Sequence, residues 1–403
     1  MTLEVAERAA QPATKAATGI LWVARMLYAT NIRLRELEFA KRLCARTPIF
    51  LLDRHEAVSS QEQSFAAKLR LRMRLRTGGF GVIERGPITR FRMPVTAATG
   101  PVLNRVAARR NEGRILAAMR EFGCDRVFHS NQFFFLPPEQ RSYRYHFDLV
   151  DNFFGEWPDT MVGASRKAFL RDFMRRADTL STMSHTMCDK VEAFTGRRPM
   201  YLPNSADVAG IAAWPRARAG LLRDKMGLNE RRVVGFIGNH TMHFDGMEML
   251  IDAWLPAHKA NPRLALMIVG PGSAKLTKPR GLGVEQGIHV IGPVPATEVW
   301  DYFLASDLGV HTYQPNPITN DATPLNVVEF GASGKPMLGV NLTELSRINL
   351  PHVKLLPYDA AAWTRAFLDE ESFAPPDQAK LGDAMQTFSW EENSKKLATA
   401  MEL

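Results

Sequence analysis

The sequence predicts an α/β protein built on doubly wound parallel sheets, and two observations carry that. Apolar runs of strand length alternate with helical segments through residues 233–336. In addition, 403 residues exceed what one core accommodates and suit two domains of about 200 residues each.

Residues 1–18, rich in Ala and Thr and without a core pattern, read as a loose tail. Residues 20–24 form a first apolar strand, 35–45 an amphipathic helix and 48–52 a second strand. In the second half, 233–240 is a buried strand running into a Gly-containing loop, followed by a helical run at 246–254. Strands follow at 264–271 and 288–294, then a short helix at 299–304 and a strand at 308–313. The chain next enters Pro324-Leu-Asn-Val-Val-Glu-Phe-Gly-Ala-Ser-Gly-Lys-Pro336, which holds a helix start, an inward carboxylate and a helix stop. Pro324 suits a first turn, where its missing N–H costs nothing, and Gly334 with Pro336 ends the helix. Leu325, Val328 and Ala332 fall at helical spacing and are expected to face a core. Residues 388–403, with Trp390 and Leu397, read as a final helix.

In doubly wound sheets, ligands sit beyond the C-terminal ends of the strands. The free N–H groups around Leu325 and Asn326 are suited to a pyrophosphate, whose charge the helix dipole favours. Glu329, one turn further in, is placed to accept hydrogen bonds from a ribose. Without its surroundings, the segment is equally an ordinary Pro-started helix of an α/β protein.

Those surroundings carry a resemblance. The segment resembles the sugar-nucleotide signature of GT-B glycosyltransferases of the family-four-like type: a Glu, seven residues, a second Glu, then Gly-Lys-Pro. Glu329 matches the second Glu, and Asp321 stands where the first would be, one methylene shorter. Tyr145-His-Phe-Asp-Leu-Val-Asp-Asn152, Thr182-Met-Ser184 and Tyr201-Leu-Pro-Asn-Ser-Ala-Asp207 resemble segments of bacterial exopolysaccharide glycosyltransferases, including the xanthan-type glucuronosyltransferases. The likeness covers roughly residues 20–395. It implies two Rossmann-like domains facing a cleft, with the last helix crossing back to the first domain. The expected boundaries are a tail at 1–18, an acceptor-side domain at 19–205, a donor-binding domain at 206–385 and the crossover helix at 386–403. Residues 209–218, bearing Pro215, are the expected exit from the hinge.

The resemblance also implies transfer of a sugar from a nucleotide donor, UDP-linked, to a hydroxyl of a lipid-linked glycan, with no cofactor beyond the donor. Such chemistry needs a base for the acceptor proton and stabilisation of the departing diphosphate. Asp151 is the first candidate base, because it follows an apolar strand and opens a polar, aromatic loop; Asp148 is the second. Both residue types also serve as helix caps in such loops. Gly238, Asn239 and His240 offer loop N–H groups and a ring to the donor, His243 is a further candidate, and Tyr313 and Asn320 are candidate cleft residues. A lone loop His is equally a surface residue. Many relatives have a Lys where Asn326 stands and a cation in the loop at 239–244, so the helix N-terminus, or a basic residue of the first domain such as Arg25, Arg33 or Arg35, is expected to do that work here. Asp for Glu at 321 weakens the case for retention, and the resemblance to the xanthan-type enzymes implies inversion with Asp151 as base. A nucleotide-sugar 2-epimerase of the same fold and a non-catalytic scaffold binding a glycan or partner are the alternatives.

Composition fits a globular protein, with 45% hydrophobic and 23% charged residues. Cys44, Cys124 and Cys188 are widely spaced and suggest buried thiols, with no metal cluster or disulfide framework. The absence of an apolar run of about 18 residues and of a cleavable signal suggests a cytoplasmic protein. Residues 1–205 carry 33 Lys+Arg against 20 Asp+Glu, a net of +13, and the remainder carries −4. The densest run, Lys68-Leu-Arg-Leu-Arg-Met-Arg-Leu-Arg76, alternates cations with Leu and Met. It suits the anionic inner face of a membrane, or else a solvated face; without interleaved aromatics it does not suit nucleic acid.

Overall fold

The computed structural model describes residues 18–23, 35–52, 81–93, 101–130, 135–156, 160–275 and 277–403. Most of the predicted tail, Arg25, Arg33 and the basic run at 68–76 lie outside them.

The first sheet is made by β1 (Gly19–Val23), β2 (Ile49–Leu52), β3 (Gly81–Glu84), β4 (Ile88–Arg92), β5 (Cys124–Ser130), β6 (Arg144–Leu149), β7 (Thr179–Thr182) and β8 (Met200–Tyr201). Their order among the described residues is β3-β4-β2-β1-β5-β6-β7-β8. All neighbours are parallel except the edge pair β3–β4. That pair departs from the all-parallel expectation because only a short turn joins the two strands, and a short turn permits only an antiparallel pairing.

The second sheet is made by β9 (Arg232–Ile237), β10 (Leu264–Val269), β11 (Ile288–Gly292), β12 (Leu308–His311), β13 (Met337–Val340) and β14 (Val353–Leu356), all parallel. Their order is β11-β10-β9-β12-β13-β14. Counted from β9, this is the doubly wound order that reverses between its first and fourth strands, so a crevice opens beyond the ends of β9 and β12. Continuous apolar sequence in β9 and β10 is explained by burial on both faces: every residue from Leu264 to Val269 is buried. The helices Met247–Ala260 and Ala360–Leu368 cover one face through Trp254 and Phe367, whose rings meet edge to face at 5.5 Å.

The final helix, Trp390–Ala400, returns to the first domain. Trp390, Leu397 and Ala398 pack with Ile20, Trp22 and Phe39, and Trp390 meets Phe39 edge to face at 5.2 Å. Arg126 and Arg144 donate to the carbonyls of Met401 and Ala400 at 2.8 and 3.1 Å, satisfying groups that a helix end leaves open. The two chain crossings pair with one another: Ala206 N–H donates to Phe388 O at 2.8 Å, and Trp390 N–H to Ala206 O at 3.1 Å. Residues 209–218 belong to the helix Val208–Ala212, a short link through Pro215, and the helix starting at Arg216. The crossing itself therefore precedes the expected exit segment.

Candidate functional site

At the reversal point, the pairing of β9 with β10 continues past the end of the strand. Gly238 N–H donates to Val269 O at 3.0 Å and His240 N–H to Pro271 O at 2.8 Å. Two of the three loop N–H groups expected to face a donor are thus occupied, leaving that of Asn239. Gly270 permits this close approach. Its φ of 125° suits glycine, and a Cβ there would stand 1.8 Å from Gly238 O. His240 is buried, and its Nε2 lies 3.0 Å from Val269 O. Burial pushes its pKa down, so the ring is neutral near pH 7; Nε2–H is then the donor to Val269 O, and Nδ1 is left as an acceptor.

The signature helix spans Leu325–Ala332, with Pro324 as its N-cap and no side chain capping it. Its opening N–H groups therefore have no partner within the helix, and Leu325 and Asn326 line the cavity in front of them. Val327, Val328 and Phe330 are buried in the core of the second domain, and Leu325 packs on a core cluster of the first domain. Ala332 is half-buried against the core. The chain turns away at left-handed Gly334. Glu329 is 7% exposed and lines the cavity one turn inside the helix.

That cavity, of about 570 Å³, is shared by the two domains. Gly238, Asn239, His240, Tyr313, Pro324, Leu325, Asn326 and Glu329 line its second-domain side, with Pro271, Pro293, Val294 and Val299 making an apolar end. Val150, Asp151, Met183 and Asn204 supply the first-domain wall. Tyr313 is pushed up to about 12 by burial, helped by Asp245 and Asp151, and so keeps its phenolic proton.

Four expected site residues are elsewhere. Asp148 is fully buried on β6, takes two hydrogen bonds from Arg35 at 2.9 and 3.1 Å, and accepts Ser181 Oγ at 2.6 Å. A carboxylate so held does not meet an acceptor, which removes Asp148 as a base and commits Arg35 away from a diphosphate. Asp321 is also buried. It is held by Lys190 Nζ at 2.5 and 2.7 Å and by Asn152 Nδ2 at 2.5 Å, both from the first domain. The carboxylate at the first signature position therefore ties the domains together and does not line the cavity. Asn320 is outside the cavity too, accepting from Thr343 N–H at 3.4 Å. His243 does not line the cavity either.

Lys190 and Glu344 carry no sequence signal that points to this neighbourhood, whereas Asn152 opens the polar, aromatic loop that follows Asp151. Glu344, fully buried, accepts from His185 N–H, Thr186 N–H and Thr186 Oγ at 2.8, 2.9 and 2.6 Å, crossing the cleft to the start of the helix His185–Thr195. No local pattern announces a partner 159 residues away. The apolar end formed by Pro293 and Val294 was findable, because ligands sit beyond strand ends.

Comparisons with known proteins agree with this architecture. Residues 231–369 match the family of glycosyl transferases, group 1. A candidate teichuronic acid biosynthesis glycosyltransferase, TuaH of Bacillus subtilis (strain 168), is 28% identical over 187 residues. That match covers 45% of this chain and 44% of the relative, so the chain matches less than half of the relative's length. The structure is similar to sucrose-phosphate synthase from Thermosynechococcus elongatus, with a TM-score of 0.67 at 13% identity over 96% of this chain and 98% of that one. It is also similar to Anabaena HepE in complex with UDP and glucose, with a TM-score of 0.66 at 15% identity over 96% and 99%. The fold is GT-B, two Rossmann-like domains about a cleft, and the match to the group 1 glycosyl transferase family lies within the second domain.

Proposed function

We propose that the protein moves a sugar from a UDP-linked donor to a hydroxyl of a lipid-linked glycan in cell-surface polysaccharide synthesis, as a peripheral enzyme on the inner face of the membrane. One observation carries the reading: the start of helix Leu325–Ala332, which no side chain caps, and Asp151 line one cavity from opposite domains. The helix start receives the diphosphate and stabilises it as it leaves. Glu329 accepts the ribose hydroxyls. Asp151 takes the proton of the acceptor hydroxyl as its oxygen attacks the anomeric carbon, and the electron pair of the breaking C–O bond leaves with the diphosphate. The nucleotide is read as UDP from the HepE complex, and the polysaccharide role from the name of TuaH.

A thermal-shift screen against UDP, GDP and their sugars tests the reading, since a specific ligand raises the melting temperature by mass action. Two variants then separate the roles. Glu329→Ala removes charge-assisted hydrogen bonds of about 1.5–3 kcal/mol, so nucleotide affinity is expected to fall roughly tenfold to a hundredfold. Asp151→Asn is expected to cut turnover by about a hundredfold or more and leave donor binding near normal. Near-normal turnover in that variant would remove Asp151 as base, and no affinity for any nucleotide would favour a scaffold.

A further inference from the structure

We infer that His311 is a positioning residue for the diphosphate, holding the Asn326 carboxamide so that an amide N–H does the work of a fixed cation. The inference rests on the nucleotide-sugar reading above. His311 ends β12 at the reversal point, is wholly buried, and lies 4.3 Å from the ring of cavity-lining Tyr313. Neither Nδ1 nor Nε2 has a hydrogen-bond partner of normal geometry among the described residues. Burial pushes its pKa down to about 3, and the polar group pulling the other way is Asn326. A neutral imidazole thus carries one donor and one acceptor, both unused, at a core position that Phe or Leu would fill without that penalty.

Asn326 explains why the ring is there. It lines the cavity at the helix start, and its Nδ2 makes only a long bond, 3.3 Å, to Ile237 O. Its amide stands over Gly238, where a Cβ would have Nδ2, at 4.0 Å, as its nearest neighbour. Turning the amide toward the cavity frees Nδ2 for a phosphate oxygen and lets Oδ1 accept the imidazole N–H. The buried ring then fixes the amide's orientation and polarises it, which strengthens a neutral donor in a low-dielectric site.

Titrating the full chain with UDP and with uridine tests this. His311→Phe keeps the ring contact with Tyr313 and removes the donor, so UDP affinity is expected to fall about fivefold to tenfold with uridine affinity unchanged. His311→Gln, which keeps an N–H donor, is expected to recover most of the loss. Adding His311→Phe to Asn326→Ala is expected to change nothing further, because the ring acts through the amide. Equal weakening toward UDP and uridine, an unchanged UDP affinity, or an additive double variant would each overturn the inference while leaving the proposed function standing. A wild-type protein that binds neither UDP nor GDP would instead overturn the proposed function, and this inference with it.

Discussion

Asp148 and Asp151 stand three residues apart near the exit of one strand, and burial together with the partners of Asp148 separates their chemistry. Asp148 points inward to Arg35 and Ser181, while Asp151, just past the strand, reaches the cavity. The sequence made both visible as candidates but not the difference, because the partner that consumes Asp148 lies 113 residues away. The same limit applies to histidines. His146 and His352 are each pushed down to about 4, and His311 to about 3, by burial. In the unfolded chain each takes a proton near pH 6.5, so between that value and the folded pKa the unfolded state binds more protons. Their contribution to stability is full above about pH 6.5 and is lost as pH falls toward 4, reaching about 2 kcal/mol per ring by pH 5. Thermal melts from pH 7.5 to 5 are expected to show a falling melting temperature below about 6.5, before most carboxylates titrate. A flat profile over that range would mean that these rings are protonated inside the fold.

At the scale of elements, sequence pattern carried further, because helix starts and stops and apolar runs are local signals. The signature helix begins after Pro324 and the chain turns at Gly334, as the residues at those positions require. What was not legible is how tightly neighbouring strand ends are joined. The loop after β9 looked like an open set of N–H donors, yet Val269 and Pro271 occupy two of them, an arrangement that depends on Gly270. Gly270→Ala is therefore expected to be severe, since its Cβ would meet the carbonyl of Gly238. Gly281→Ala is the internal comparison: it shares a positive φ of 63° but has nothing within 4 Å of the added atom. The Gly281 change is expected to cost about 1 kcal/mol, from backbone conformation alone. Gly270→Ala should cost several times more and weaken nucleotide binding as well. Equal losses in chemical denaturation would mean that the β9–β10 junction shifts freely to admit a side chain.

Across the whole molecule, the two domains are joined by pairs that no local reading predicts, Asp321 with Lys190 and Glu344 with the start of helix His185–Thr195. Charge distribution, by contrast, is legible without any structure. The split of +13 for residues 1–205 against −4 for the rest is what assigns the proposed membrane contact to the first domain. Among the described residues no helix is long and apolar enough to cross a membrane. Cations alternating with Leu and Met from Lys68 to Arg76 bring charge attraction of about 1 kcal/mol per basic residue together with a little apolar insertion. Screening shortens to about 3 Å at 1 M salt, which removes the electrostatic part. The protein is accordingly expected to co-sediment with anionic but not neutral vesicles, and to be released by salt. Replacing Arg70, Arg72, Arg74 and Arg76 by Gln should weaken that binding and leave UDP affinity unchanged, because the donor site is built mainly from the other domain. If the substituted protein still sediments as well as the parent, the run is a solvated face. Exposed Arg109, Arg110 and Arg166 of the same domain would then be the next residues to change.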